Sequence, residues 1–309
     1  MPNTIGILSP GDMGHTIGAV LRQNGLRVIT CLEGRSNRTR ELAQKAGIED
    51  VKTYHELITQ ADLILSIMVP AQASAAAQVV ADTLQKMDTA ITYADCNAIA
   101  PQTVRKIGNT IEAAGGNFVD ASIIGPPPRK PNTTRFYVSG PQLDTISELN
   151  NYGLDIRPLG KEIGLASAIK MCYASLTKGL TALCTELLTA AEILGVSDAL
   201  KKEFQLSQTA LYERMERGLP GMPTKAKRWI GEMEEIADTY EDVGLTPNIL
   251  TGAADIYRLV SDTHLADISP EDRDQFPTLT ELISTLAEQT IVGATSGRDR
   301  EVAPTCESV

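Results

Sequence analysis

Short apolar runs alternate with amphipathic stretches over the first half of the chain. "TIGILS", "LRVITCL", "ADLILSIMV", "TAITYADCN", "NFVDASIIG" and "TRFYVSG" read as strands. Between them "MGHTIGAVLRQNG" reads as a helix closed by Gly25, and "SNRTRELAQKAG" as one capped by Ser36 or Asn37 and stopped by Gly47. Further helices are expected in the Ala-rich "AQASAAAQVVADTLQKM" and from Pro101 to Ala114. Near-continuous apolar strands separated by helices predict a parallel sheet covered on both faces.

The pattern changes at Glu162. From there to Leu194 there is no proline, the only glycines are Gly164 and Gly179, and no strand signal remains. A run of about 33 helical residues would be roughly 50 Å long. Ile163, Ile169, Leu176, Leu180, Leu183, Leu187 and Leu194 point almost all the way round it, which predicts a helix surrounded by protein. Helical periodicity returns in "AKRWIGEMEEIADTYEDVG", "NILTGAADIYRLVSDT" and "TLTELISTLAEQTIVG". The expected organisation is an α/β domain over 1–160 and an all-α domain built around one long central helix over 161–295. Residues 296–309 lack periodicity and are expected to form a flexible tail.

Charge and composition narrow the function. The 309 residues carry a net charge of −11, which argues against nucleic acid or an anionic membrane as partner. Five cysteines (Cys31, Cys96, Cys172, Cys184 and Cys306) show no C-x-x-C spacing, so reduced thiols in a cytoplasmic protein are expected. The first strand begins within four residues, which leaves no room for a signal peptide, and no apolar run approaches a membrane span. His15, His55 and His264 lack ligand-like spacing, so no metal site is expected. The remaining partner is a small molecule.

"IGILSPGDMGHTIG", residues 5–18, nearly spells G-x-G-x-x-G, with Ser9, Gly11 and Gly14 in the three glycine places. A strand precedes it and a helix follows, the context of a dinucleotide-binding Rossmann turn. Gly11 would let a pyrophosphate approach the backbone, with Asp12 and Met13 in the helix's first turn. Gly14 would let that helix pack on the strand. Glu33 lies 19 positions after Gly14 (33 − 14), near the acidic residue that binds an adenosine ribose. Arg35, Ser36 and Arg38 follow at once, and two guanidiniums with a hydroxyl suit a 2′-phosphate. NADP is favoured, NAD is the alternative, and a solvated helix N-terminus is the plainer reading of the same charges.

Taken together, these motifs resemble the β-hydroxyacid dehydrogenase family, relatives of 3-hydroxyisobutyrate and 6-phosphogluconate dehydrogenases. "GILSPGDMG" is similar to the family's "GFIGLGxMG". "SIMVPAQA" matches its cofactor-side loop, which brings Met68, Val69 and Pro70 to the dinucleotide. "DCNAIAPQT" stands where the family has "DxSTISPxT", placing Asn97 at the nicotinamide end, near both cofactor and substrate. "VDASIIGPPP" stands for "DAPVSGG", with Ile124 in place of the substrate-binding serine and Gly125 retained. "GKEIGLASAIKMCYA" resembles "GxGxxxKxxNN", which makes Lys170 the catalytic lysine.

Residue chemistry agrees with that assignment. A lysine inside an apolar helix is costly to bury, and burial would lower its pKa toward a range useful for proton transfer. A lysine snorkelling over apolar neighbours is the plainer alternative. The departures concern the substrate. Ala174 replaces the family's asparagine, and Thr177 stands where 6-phosphogluconate dehydrogenase has a glutamate acid. Lys178, Arg129 and Lys130 could hold an anionic group instead, and "PPPRKPN" could equally be a solvated loop. Glu232 falls on the acidic position of the family's late helix motif, with Gly231 on its lysine position and Arg228 as a replacement charge. Trp229, the only tryptophan, is read as core or interface.

The resemblance implies an NAD(P)-dependent dehydrogenase or reductase for a small 3-hydroxy acid or related carbonyl compound. The helical domain would present Lys170 across a cleft as general acid/base, and the family typically forms a homodimer through its helical domains. Two alternatives stand beside it. One is a dinucleotide-binding sensor without turnover; the other is an imine reductase of the same architecture, against which Lys170 argues.

Overall fold

Alternating apolar runs build a doubly covered sheet because each strand must bury both faces. A computed structural model describes residues 2–87 and 90–298. Its sheet consists of β1 Thr4–Leu8, β2 Arg27–Cys31, β3 Glu49–Val51, β4 Leu63–Ser66, β5 Thr92–Asp95, β6 Asn117–Ile124, β7 Arg135–Ser139 and β8 Ile156–Gly160. The spatial order is β3-β2-β1-β4-β5-β6-β7-β8. Neighbours run parallel except β6 and β7, which pair antiparallel. The exception has a simple cause: only a loop joins β6 to β7, so the chain turns back where a helical crossover would have kept it parallel.

Helices α1 Asp12–Gln23, α2 Asn37–Ala46, α3 Tyr54–Gln60, α4 Pro70–Leu84, α5 Pro101–Ala113 and α6 Asp144–Ser147 accompany these strands. Ile5, Ile7, Val28, Leu63 and Leu65 belong to one buried cluster with Ile17 and Leu21 of α1. Leu8, Ile29, Ile64 and Tyr93 belong to the cluster of the opposite face, with Val80 of α4 and Val104 of α5. Both faces of the sheet are therefore dry.

A helical series follows: α7 Leu165–Ile193, α8 Ser197–Ser207, α9 Thr209–Gly218, α10 Pro223–Asp242, α11 Asn248–Ser261 and α12 Leu279–Arg298. The architecture is thus a Rossmann-type α/β region followed by helices. Its contacts define two units. The first is Met1–Tyr173 with Asp238–Leu245; the second is Ala174–Ala237 with the described residues from Thr246 on.

Several elements depart from the pattern read along the chain. β3 exposes Glu49 and Asp50, and β8 exposes Arg157, Pro158 and Leu159, so neither edge strand carries an apolar run. α8 fully buries no residue, and its Leu200 and Phe204 are only half-buried. The long helix spans 29 residues and is not fully wrapped by the described residues, since Leu176 and Leu183 are 64% and 55% exposed. Of the expected tail, 296–298 close α12. The remainder, with Cys306, lies outside the described residues. Among the described residues no helix is long and apolar enough to cross a membrane.

Candidate functional site

The turn from β1 to α1 explains its own sequence. Ser9 takes φ +59°, a left-handed conformation usually left to glycine, and its carbonyl accepts from Gly11 N at 2.7 Å. Gly11 is the N-cap of α1 and no side chain caps that helix. A Cβ at Gly11 would meet nothing nearer than the Ser9 carbonyl at 4.0 Å, so its Cα faces open space. At Gly14 a Cβ would come within 3.3 Å of both the Ile7 side chain and the Ser9 carbonyl, so here glycine serves packing. Asp12 and Met13 fill the first turn between them. An uncapped helix start beside open space fits a dinucleotide pyrophosphate. His15 is buried, with Nδ1 2.7 Å from the Gly11 carbonyl, which fastens the same turn from inside.

At the end of β2, Glu33 and Arg38 are exposed and Arg35 is half-buried. Arg35 donates to the Tyr54 hydroxyl at 3.1 Å, while Ser36 caps α2 by accepting from Thr39 N at 3.3 Å. Arg40, which the sequence pattern did not single out, ties the turn together through the carbonyls of Leu32 and Arg35.

The ends of β4 and β5 are joined by Asn97. Its amide oxygen accepts from Met68 N at 2.6 Å and its amide nitrogen donates to the Ser66 hydroxyl at 3.1 Å. Asn97 is 3% exposed, so it positions the loop of Met68, Val69 and Pro70 from beneath. Asp95 Oδ1 in turn accepts from Asn97 N at 2.9 Å, and Oδ2 is buried without a hydrogen-bond partner. Burial pushes this carboxyl up to about 7, against the pull of the Asn97 hydrogen bonds.

Strand β6 fixes both ends of the first turns of α7. Asp120 Oδ2 accepts from Gly164 N, Ala166 N, Ser167 N and the Ser139 hydroxyl at 2.9 to 3.1 Å. Its Oδ1 accepts from the Ser167 hydroxyl at 2.8 Å. The carboxylate thus satisfies amides that a helix start leaves open. Burial raises the Asp120 pKa, and the bonds from Ser167, Ser139 and Gly164 oppose that rise. Three residues further along β6, the Ile123 carbonyl accepts from Lys170 Nζ at 2.6 Å. Lys170 is half-buried, and its ammonium is held by a fixed acceptor within the first unit. Ile124 beside it is buried. Gly125 has φ +121°, and a Cβ there would lie 2.1 Å from the Thr133 carbonyl, so no other residue fits.

The second unit gathers a separate charge cluster. Lys178 pairs with Glu232 Oε2, and Arg228 Nε lies 3.2 Å from Glu232 Oε1. Glu232 thus meets a cation at each of its oxygens. Lys178 also stands 5.8 Å from the Trp229 ring centre, Tyr257 packs edge-on against that ring, and its hydroxyl donates to the Lys178 carbonyl at 2.7 Å. Ala174 is buried and brings no polar group of its own. Among the described residues no cluster of His, Cys, Asp and Glu could hold a metal ion.

Comparison with known proteins adds relatives. A family model described as the NAD binding domain of 6-phosphogluconate dehydrogenase matches 4–148, and a domain of unknown function (DUF1932) matches 191–260. An uncharacterized 28.5 kDa protein of Methanothermus fervidus is 30% identical over 196 residues, which span 63% of this chain and 74% of that relative. The mitochondrial 3-hydroxyisobutyrate dehydrogenase of Drosophila melanogaster is 25% identical over 196 residues, spanning 63% of this chain and 57% of the enzyme. A solved structure of a conserved protein of unknown function, described as similar to 3-hydroxyacid dehydrogenases, is 32% identical. It covers 86% of this chain and 100% of its own, with a TM-score of 0.64.

Proposed function

The chain belongs to the β-hydroxyacid dehydrogenase family, as a divergent member, and from that premise we propose that it oxidises or reduces a small 3-hydroxy acid or related carbonyl compound. A bound nicotinamide dinucleotide supplies or accepts the hydride. The first turn of α1 holds its pyrophosphate, and Met68, Val69 and Pro70 line its path, with Asn97 keeping them in place. Lys170 is the general acid/base. In reduction its ammonium gives a proton to the oxygen that gains negative charge; in oxidation its amine takes the alcohol proton. Such proton transfer is worth about 10²–10⁴ in rate.

The observation that carries this reading is the 2.6 Å bond from Lys170 Nζ to the Ile123 carbonyl. It sets a proton donor at the end of the strand whose next residues form the Gly125 turn, and all these groups belong to one unit. The test is a spectrophotometric panel of 3-hydroxy acids, semialdehydes, aldehydes and cyclic imines with both dinucleotides. Turnover of a hydroxy acid or its carbonyl partner supports the proposal. Turnover of cyclic imines alone would reassign the chemistry, and tight dinucleotide binding without any turnover would favour a sensor.

Arg35, Ser36 and Arg38 favour NADP over NAD, because a 2′-phosphate would find two guanidiniums and the α2 N-terminus. A homodimer accounts for the exposed face of α7. Leu176 and Leu183 lie seven residues apart, on one stripe of the helix, and a second copy would cover them. Changing both to Glu should turn a dimer into a monomer in light scattering; an unchanged mass would reject that interface.

A further inference from the structure

The loop "GPPPRKPNTT" is built too stiffly to be a plain solvated connection. Pro126, Pro127 and Pro128 each fix φ, and Gly125 and Asn132, at φ +121° and +60°, reverse the chain at either end. Inside the loop Arg129 N donates to the Pro127 carbonyl at 2.7 Å and the Thr133 hydroxyl to Lys130 O at 2.8 Å. The Thr134 hydroxyl closes it on Pro126 O at 2.5 Å. The product of this folding is one contact across 117 positions of sequence: Arg129 Nη2 donates to Asp12 Oδ1 at 2.5 Å.

Asp12 is the first residue of α1, beside the open space at Gly11. A carboxylate there suits the helix dipole when nothing is bound, but it opposes a pyrophosphate carrying two negative charges. Arg129 neutralises it through one nitrogen. Among the described contacts Nε and Nη1 make no hydrogen bond, so the guanidinium keeps donors for a second anion. An exposed ion pair of this kind is weak on its own, which leaves the arginine free to share.

We propose that Arg129 is a dinucleotide-binding residue, bridging Asp12 and the pyrophosphate of the cofactor. This assigns to the cofactor a cation that the sequence suggested for an anionic substrate. It rests on the reading that the first unit binds a nicotinamide dinucleotide.

Isothermal titration of wild type, Arg129→Gln and Asp12→Asn/Arg129→Gln with NADH, NADPH and ADP-ribose tests it. Both positions are exposed, and matching circular-dichroism melts establish that the variants fold. The expected result is that Arg129→Gln weakens all three ligands by a similar factor, about ten- to a hundredfold for a lost charged hydrogen bond. The double variant should recover only part of that loss. Unchanged affinities overturn the proposal. So does a loss confined to NADPH, which would place the arginine on the 2′-phosphate, or one that spares ADP-ribose, which would place it at the nicotinamide. Full recovery in the double variant would reduce Arg129 to a neutraliser of Asp12. Failure of wild type to bind any of the three would instead overturn the parent reading.

Discussion

Asp120 accepts both the backbone N–H and the hydroxyl of Ser167, at 3.1 and 2.8 Å, so a single strand residue fastens the start of the helix that carries Lys170. Asn at 120 would turn an NH2 group toward backbone donors. D120N should therefore lose about 2–4 kcal/mol of stability, and Ser167→Ala about 1 kcal/mol, in denaturant unfolding. Equal, negligible effects would show that the anchor is dispensable.

The buried Asp95 carboxyl predicts a pH trend. Its pKa in the fold is raised to about 7, so the folded protein holds the proton more tightly than the unfolded chain. The stability this provides is fully present below the unfolded value near 4 and is lost as pH rises through about 7. D95N stays neutral throughout. The melting temperature of wild type should fall relative to D95N between pH 5 and pH 8; parallel curves would contradict the assignment.

Ser9 stands in left-handed backbone where glycine costs nothing. S9G should raise stability by up to about 1 kcal/mol, the strain relieved less the extra entropy of an unfolded glycine. A clear loss would mean that the hydroxyl itself supports the turn.

The double variant Arg35→Ala/Arg38→Ala should weaken NADPH by at least about tenfold more than NADH, because only the former carries the 2′-phosphate the guanidiniums would grip. Equal losses, measured by cofactor fluorescence, would reject the NADP preference.

Much of this was written in the chain because periodicity and glycine spacing are local. β1, α1 and the packing role of Gly14 follow from "IGILSPGDMGHTIG", whereas the positive φ of Ser9 is visible only in the folded backbone. β3 and β8 were not legible, since an edge strand exposes Glu49, Asp50, Arg157 and Leu159 as a loop would. Nor could spacing reveal that Arg129 meets Asp12, or that Lys178 meets Glu232, because those partners lie 117 and 54 residues apart. Asp120 does carry a sequence signal: one carboxylate within the apolar run "NFVDASII" marks a buried anion with donors around it. Nor could spacing reveal that the Asn97 amide bonds Met68 N and the Ser66 hydroxyl, 29 and 31 residues away.

K170A separates cofactor binding from proton transfer when dinucleotide binding and turnover are measured on the same preparation. A general acid/base role for Lys170 predicts an unchanged dissociation constant for the dinucleotide and a turnover number about 10²–10⁴ lower, on whichever substrate the panel identifies. Turnover equal to that of wild type would contradict it.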